Sequence, residues 1–399
     1  HVTEVLSLGV LLLAIGAFQG TLPLRLTPLA GFLGGITAIQ GLVKPPTAVV
    51  AMLACALVVL APPPGAWRRA GVAGASLLGT FLVGWLVVAR QSVADLPEWV
   101  LSTVDLARGY SEAMFLASTD RNHEYIAAAL LVVGFIAYIA RFAMRTQRRN
   151  DVLLGIVVAL ALWVLAKQAF VRQDGHSVLF FFVVPALATA IWTTRPASTR
   201  PLALLVATGV LLTSVSTGNG LATELDPGPS LRTFLRQVTY IALPDRRRAA
   251  VDLARAQLLA EYAGWVHEPV LAEVSEASVH VDPWETSLAW AYGLDWRPVP
   301  VFQRYQAYTA KSDGDNAKAL ESDSRSPDKI LRQDSPGLDG RNDLWDSPRY
   351  MLNLVCLYRQ STVALPWQVL ERARSRCGPM RLAAARPFGA NEPIPVPRS

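Results

Sequence analysis

Over its first 218 residues the chain alternates long apolar runs with short charged interruptions. At about 1.5 Å of rise per residue, a helix of roughly 20 apolar residues crosses a bilayer core. Runs of this kind lie near 4–20, 26–43, 47–62, 70–89, 124–143, 152–171, 177–194 and 201–218, which predicts about eight spans. Beyond Gly218 polar and apolar residues mix on a shorter period. RRRAAVDLARAQLLAEY (246–262) has helical spacing and reads as an amphipathic helix. SVHVD (278–282), WETSLAWAYG (284–293), PVPVFQ (298–303), DNAKALE (315–321) and DKILRQ (328–333) predict a βαβαβ order with a small parallel sheet. NLVCLYRQ and WQVLERAR follow as an antiparallel pair, and a Pro-rich tail begins at Arg386. The expected fold is therefore mainly α. A polytopic transmembrane helical bundle (1–218) precedes a small α/β extracytoplasmic domain (219–385) and a tail (386–399).

Composition agrees: 52% of the 399 residues are hydrophobic and 17% charged, proportions of a membrane protein rather than a soluble one. The chain opens on His1 with no short basic leader, which reads as a processed product or a fragment that lacks upstream segments.

Charge fixes an orientation. Residues 1–218 hold 15 Lys/Arg against 9 Asp/Glu, and residues 219–399 hold 22 of each, so the net excess of +6 belongs to the apolar half. A basic soluble face is missing, which argues against a nucleic-acid partner. If the spans alternate, Arg25, Arg68, Arg69, Arg141, Arg145, Arg148, Arg149, Arg195 and Arg200 face one side with the single acid Asp151. Positive charge marks that side as cytoplasmic. The loop at 90–123, the stretch KQAFVRQDGH (167–176) and the carboxy-terminal domain then lie outside a bacterial inner (cytoplasmic) membrane.

On that outer side Cys356 and Cys377 could form a disulfide, whereas Cys55 inside a span reads as an apolar filler. Three cysteines without paired spacing imply no metal site, no cofactor is identified, and a divalent metal is left open. Gly31, Gly34 and Gly35 would let a second helix approach closely.

Three outer features could carry chemistry. Lys44, before a double proline, is either a snorkelling anchor or a grip for a lipid phosphate. The segment PEWVLSTVDLARGYSEAMF reads as a helix in the interfacial plane that either seals the bundle or overlooks a cavity with Asp105, Tyr110 and Glu112. In KQAFVRQDGH, Lys167 stands a turn inside the outer boundary, where a cation needs water, a partner or an anion. The turn at Asp174-Gly175 either makes a self-satisfied Arg172–Asp174 ion pair with a solvated His176 or brings Arg172, Asp174 and His176 together as part of a site. Glu112 and Asp174 are the carboxylates offered for acid–base work.

AGFLGGITAIQGLVKPPT, the acidic and aromatic outer loops and the extracytoplasmic domain together resemble GT-C type membrane glycosyltransferases. GYSEAM (109–114), KQAFVRQDGH and RPVPVFQRYQAYT (297–309), with Asn316 and Asp339–Arg341 beyond them, look like a group of bacterial multi-spanning proteins to which the resemblance attaches no activity. The GT-C resemblance implies transfer of a sugar from a polyprenyl-phosphate carrier at the outer face, with Lys44, Lys167 and Arg172 on the phosphate. The family's carboxylate loop would precede His1, so no base is carried over. At the carboxyl ends of the predicted strands stand Asp282 with Trp284, Gln303 with Tyr305 and Tyr308, and Asp334, where a parallel sheet offers its ligand site. Aromatic and amide groups of this kind suit carbohydrate or dock the domain on the bundle. The competing expectation is a non-enzymatic envelope protein anchoring a binding or assembly domain. A transporter is a third, hinted at only by Pro185 within a span.

Overall fold

The computed structural model describes residues 2–62, 64–116, 122–146, 148–172, 175–192, 207–209, 227–334, 337–338 and 346–378. The protein is mainly helical and divides into two compact units, His1–Ala242 and Leu243–Ser399.

In the first unit the apolar runs become α1 (Val2–Gln19), α2 (Leu26–Val43), α3 (Pro45–Val59), α4 (Ala66–Leu82, continued by a π-helical stretch Val83–Val88), α5 (Leu96–Ala113), α6 (Asn122–Thr146), α7 (Arg149–Val171) and α8 (Gly175–Trp192). The more polar α9 (Pro227–Ala242) closes the unit. Among the described residues, four segments are long and apolar enough to cross a membrane: Leu26–Val43, Ala66–Val88, Asn122–Arg141 and Arg149–Val171. Leu6–Gln19 and Pro45–Val59 are shorter apolar helices. The run predicted at 201–218 lies, except for 207–209, outside the described residues.

Local chemistry sets the breaks. Lys44 leaves the helical region (φ −151°, ψ 84°) because a residue before proline is pushed out of it, and Pro45 then starts α3 where its missing N–H costs nothing. Leu11, Ile15, Leu33, Leu57, Phe135 and Phe181 are wholly buried in one apolar core. The glycines serve close packing, as expected. A Cβ on Gly34 would overlap the Ala73 carbonyl oxygen of α4, and one on Gly31 would meet Val72 at 3.0 Å.

The second unit begins with α10 (Pro244–Tyr262) and α11 (Glu268–Val274), followed by β1 (Ser278–Asp282), α12 (Ser287–Tyr292) and β2 (Asp295–Trp296). A 3₁₀ turn at Arg304–Gln306 precedes α13 (Ala310–Glu321), β3 (Lys329–Gln333), α14 (Pro348–Leu357), β4 (Tyr358–Ala364) and β5 (Trp367–Arg372). The sheet order is β2-β1-β3-β5-β4. β1 is parallel to β2 and β3, and β5 is antiparallel to β3 and β4. Val279, Val281, Leu331 and Val369 pack on one face with Tyr262, Val270 and Leu288, while Ile330 and Leu370 pack on the other with Tyr350 and Leu354.

Two expectations are corrected. PVPVFQ (298–303) is not a strand, and the short parallel partner of β1 is Asp295–Trp296 instead. Pro298 and Pro300 remove ladder donors. The backbone N–H of Val301 donates to Asn316 Oδ1 at 2.8 Å and its C=O accepts from Asn316 Nδ2 at 3.0 Å, so one buried side chain takes the place of a neighbouring strand. Secondly, the first half of NLVCLYRQ belongs to α14, and the antiparallel pair begins at Tyr358. Helix α10 forms where RRRAAVDLARAQLLAEY predicts it, but most of its side chains are exposed and Tyr262 is its one buried residue. The Cys356–Cys377 disulfide is present, tying the end of α14 to the segment after β5.

Candidate functional site

At one end of the α6–α7 hairpin two of the three features singled out in the sequence meet. The N–H of Leu116, just past α5, donates to Val171 O at 3.0 Å, and Leu116 pairs with Arg172 as an isolated parallel bridge. The segment carrying half-buried Tyr110 and exposed Glu112 is therefore tied to the end of α7, which carries exposed Lys167 and half-buried Arg172. On that α6–α7 end Tyr125 and Phe170 pack at 5.4 Å between ring centroids. Asp174 and the side chain of His176 lie outside the described residues. Lys44 sits at the α2–α3 corner, where its C=O accepts from the Thr47 hydroxyl at 2.7 Å. Beside it a buried neutral chain runs from Gln40 Nε2 to Ser7 Oγ (3.1 Å) and on to Thr47 O (3.3 Å).

Two apolar grooves of the helical unit, about 380 Å³ along α2–α4 and about 790 Å³ between α6 and α7, are lined by none of these site residues. Cys55 lines the first, half-buried, its thiol against Ala30 O at 3.8 Å. Among the described residues no cluster of His, Cys, Asp and Glu could hold a metal ion.

The α/β unit has a more sharply built centre. In a strand alternate residues face opposite sides, so Val279 and Val281 enter one apolar layer while His280 and Asp282 enter the other. All five residues of β1 are buried. Asp282 ends the strand and accepts from Arg304 Nε at 2.8 Å, with both side chains almost wholly buried. Arg332, its register partner on β3, approaches the other carboxylate oxygen at 3.5 Å. The Arg304 guanidinium lies 5.9 Å from the centre of the Tyr350 ring, and that ring meets His280 edge-on at 6.2 Å. Burial, reinforced by Arg304 and opposed by Asp282, lowers the His280 pKa to about 4, so the imidazole is neutral at pH 7. Burial likewise pushes the Tyr350 hydroxyl well above its usual range.

This centre lies where the chain leaves β1 for a neighbour on one side and later supplies β3 on the other, the switch point at which open α/β sheets present their ligand sites. Arg304 roots the 303–306 turn in the core, and the turn displays Gln303, Tyr305 and Gln306. Gln303 Oε1 accepts from Gln306 Nε2 at 2.6 Å and from the Tyr305 hydroxyl at 3.3 Å. Trp284, two residues past Asp282, stands edge-to-face with Tyr305 at 6.2 Å. Of the residues expected here, Asp282, Trp284, Gln303 and Tyr305 come together.

Sequence reasoning missed Arg304, His280 and Tyr350, and named Asn316 without its role as a clamp on Val301. A readable signal existed for His280, because His and Asp at alternate positions of a Val-rich strand put two polar groups on one buried face. Arg304 and Tyr350 gave no such signal, since an Arg in a polar loop and a Tyr in an amphipathic helix read as surface. No family model matches the chain, and no curated protein or solved structure is detectably similar to it.

Proposed function

We propose that the chain is an integral membrane protein of the bacterial inner membrane that handles lipid-linked saccharide at the outer face, transferring a sugar from a polyprenyl-phosphate carrier. On this reading about eight helices span the bilayer, the Arg-rich corners face the cytoplasm, and the α/β unit lies outside, where its disulfide is chemically at home. The observation that carries it is the Leu116–Val171 hydrogen bond. It ties the chain four residues past Glu112 to the helix end bearing Lys167 and Arg172, which supports counting one carboxylate, one phenol and two cations toward one site. Cations at an interface suit a phosphate, and an acid nearby suits proton transfer. Incorporation of labelled sugar by membranes tests it. Lys167→Ala and Glu112→Gln should each lower incorporation at least tenfold, and undiminished incorporation by both would sink the assignment.

The alternative, a non-enzymatic protein whose helices anchor a binding domain, is favoured by a different observation. The α/β unit has a built polar centre, with Arg304 on Asp282 and a hydrogen-bonded Gln303–Gln306 turn above it. Intact sugar binding in a chain that incorporates no sugar would decide for it.

A further inference from the structure

The carboxyl ends of β1 and β3 carry a set of side chains whose chemistry can be read further. The Arg304 and Asp282 charges cancel below the surface. Above them the 303–306 turn is held at several points. Arg304 N–H donates to Pro283 O at 3.0 Å, Gln306 N–H to Gln303 O at 2.8 Å and Ala307 N–H to Arg304 O at 3.0 Å, while Asn316 clamps Val301 just before the turn. A group displayed on such a turn gives up little conformational entropy when a ligand arrives, which is where binding usually loses affinity.

Hydrogen-bond accounting on the turn is uneven. Gln303 Oε1 receives both the Gln306 amide and the Tyr305 hydroxyl, and Gln306 Nε2 also donates to Tyr305 Oη at 3.1 Å. An amide has one acceptor oxygen and two donor hydrogens. The Gln303 NH₂ and the Gln306 carbonyl oxygen therefore have no protein partner among the described residues. One donor and one acceptor are thus left on a single fixed turn, whose Tyr305 ring meets the half-exposed indole of Trp284.

We infer that Trp284, Gln303, Tyr305 and Gln306 form a binding site for a neutral saccharide ring. A vicinal diol offers an acceptor and a donor on one ring, the complement of an amide NH₂ and an amide carbonyl on one turn. The apolar C–H face of a pyranose or furanose ring covers an indole as another apolar ring would. The four side chains carry no charge. Glu285, the nearest acid in sequence, is occupied by the Tyr262 and Ser287 hydroxyls at 2.7 and 3.0 Å. A phosphate or carboxylate would find no cation among the four, and so the neutral part of a glycan is the better fit. The inference adds a ligand class to the α/β unit and does not require the helical unit to transfer sugar.

Saturation-transfer NMR on the full chain, held in a sugar-free detergent such as lauryldimethylamine oxide, tests it with the methyl glycosides of glucose, galactose, mannose and arabinose. At least one should receive saturation, strongest at its ring C–H protons. Trp284→Ala should weaken binding roughly tenfold, as for loss of one good ring contact. Gln303→Ala, which removes only a half-buried amide, should weaken it severalfold, and Trp163→Ala on α7 should leave it unchanged. Transfer to none of the four glycosides overturns the inference, as does transfer that survives both Trp284→Ala and Gln303→Ala. Binding with normal loss in these variants but no sugar incorporation by membranes would leave the site standing and remove only the transferase reading.

Discussion

The two units solve the burial of charge in opposite ways. In the helical unit the buried charged residues among those described stand in first turns of helices: Arg69 in α4, Glu124 in α6 and Asp151 in α7. The acids complement the positive end of the helix dipole. Arg69 instead reaches back to the end of α3, donating to Val59 O at 3.0 Å and to Ala61 O, so it satisfies carbonyls that the helix leaves open. The α/β unit places an ion pair at its centre and builds a turn on it. Apolar helices surrounded by lipid have no means of solvating a charge at mid-span, whereas a two-layered sheet can enclose one carboxylate and bring guanidinium groups to it from two elements.

That contrast can be broken most severely at Arg304. Arg304→Met leaves Asp282 buried without its closest cation, and the α/β unit should lose about 3–5 kcal/mol. Urea unfolding of the full chain in detergent should show the α/β transition moving to lower urea while the helical transition stays. A shift of both together, or of neither, would mean that the pair is not the local keystone described.

Acid should act next. His280 is protonated more readily in the unfolded chain, near pH 6.5, than in the folded one, near 4. Stability is therefore unaffected by this group above pH 6.5 and is lost as pH falls from 6.5 toward 4, by about 3 kcal/mol in all. Asp328, held below the usual carboxylate range chiefly by the Ser278 hydroxyl at 2.6 Å, adds a further loss at still lower pH. In His280→Phe the drop between pH 6.5 and 4 should largely vanish. A profile identical to the parent's would remove His280 from the account.

The smallest effect belongs to the helical unit. Gly34→Val inserts a side chain where α4 already touches α2 through the Ala73 carbonyl, and should cost about 1–3 kcal/mol by overpacking. Thermal unfolding of the helical unit should fall while sugar binding by the α/β unit persists.

How much was legible depended on which physics was local. The apolar helices and the α2 glycine stripe follow from residue type alone, because hydropathy and the absence of a Cβ act without reference to distant partners. β1, β3 and β5 were readable from alternation, and β4 only from Tyr358 on. PVPVFQ misled because its β-branched and aromatic residues read as a strand, while Asn316, fifteen positions on, had taken its hydrogen bonds. Of the site, Trp284, Gln303 and Tyr305 were visible as aromatics and amides at strand ends. Their root, Arg304 on Asp282, was hidden, since a pair separated by 22 residues leaves no trace in spacing.

The central claim is that the saccharide-handling unit faces away from the cytoplasm. A single reporter, Glu276→Cys on the exposed turn before β1, tests it directly. In intact spheroplasts a membrane-impermeant maleimide should label this cysteine fully, with no gain on permeabilisation. Labelling only after permeabilisation would put the α/β unit in the cytoplasm and contradict the account.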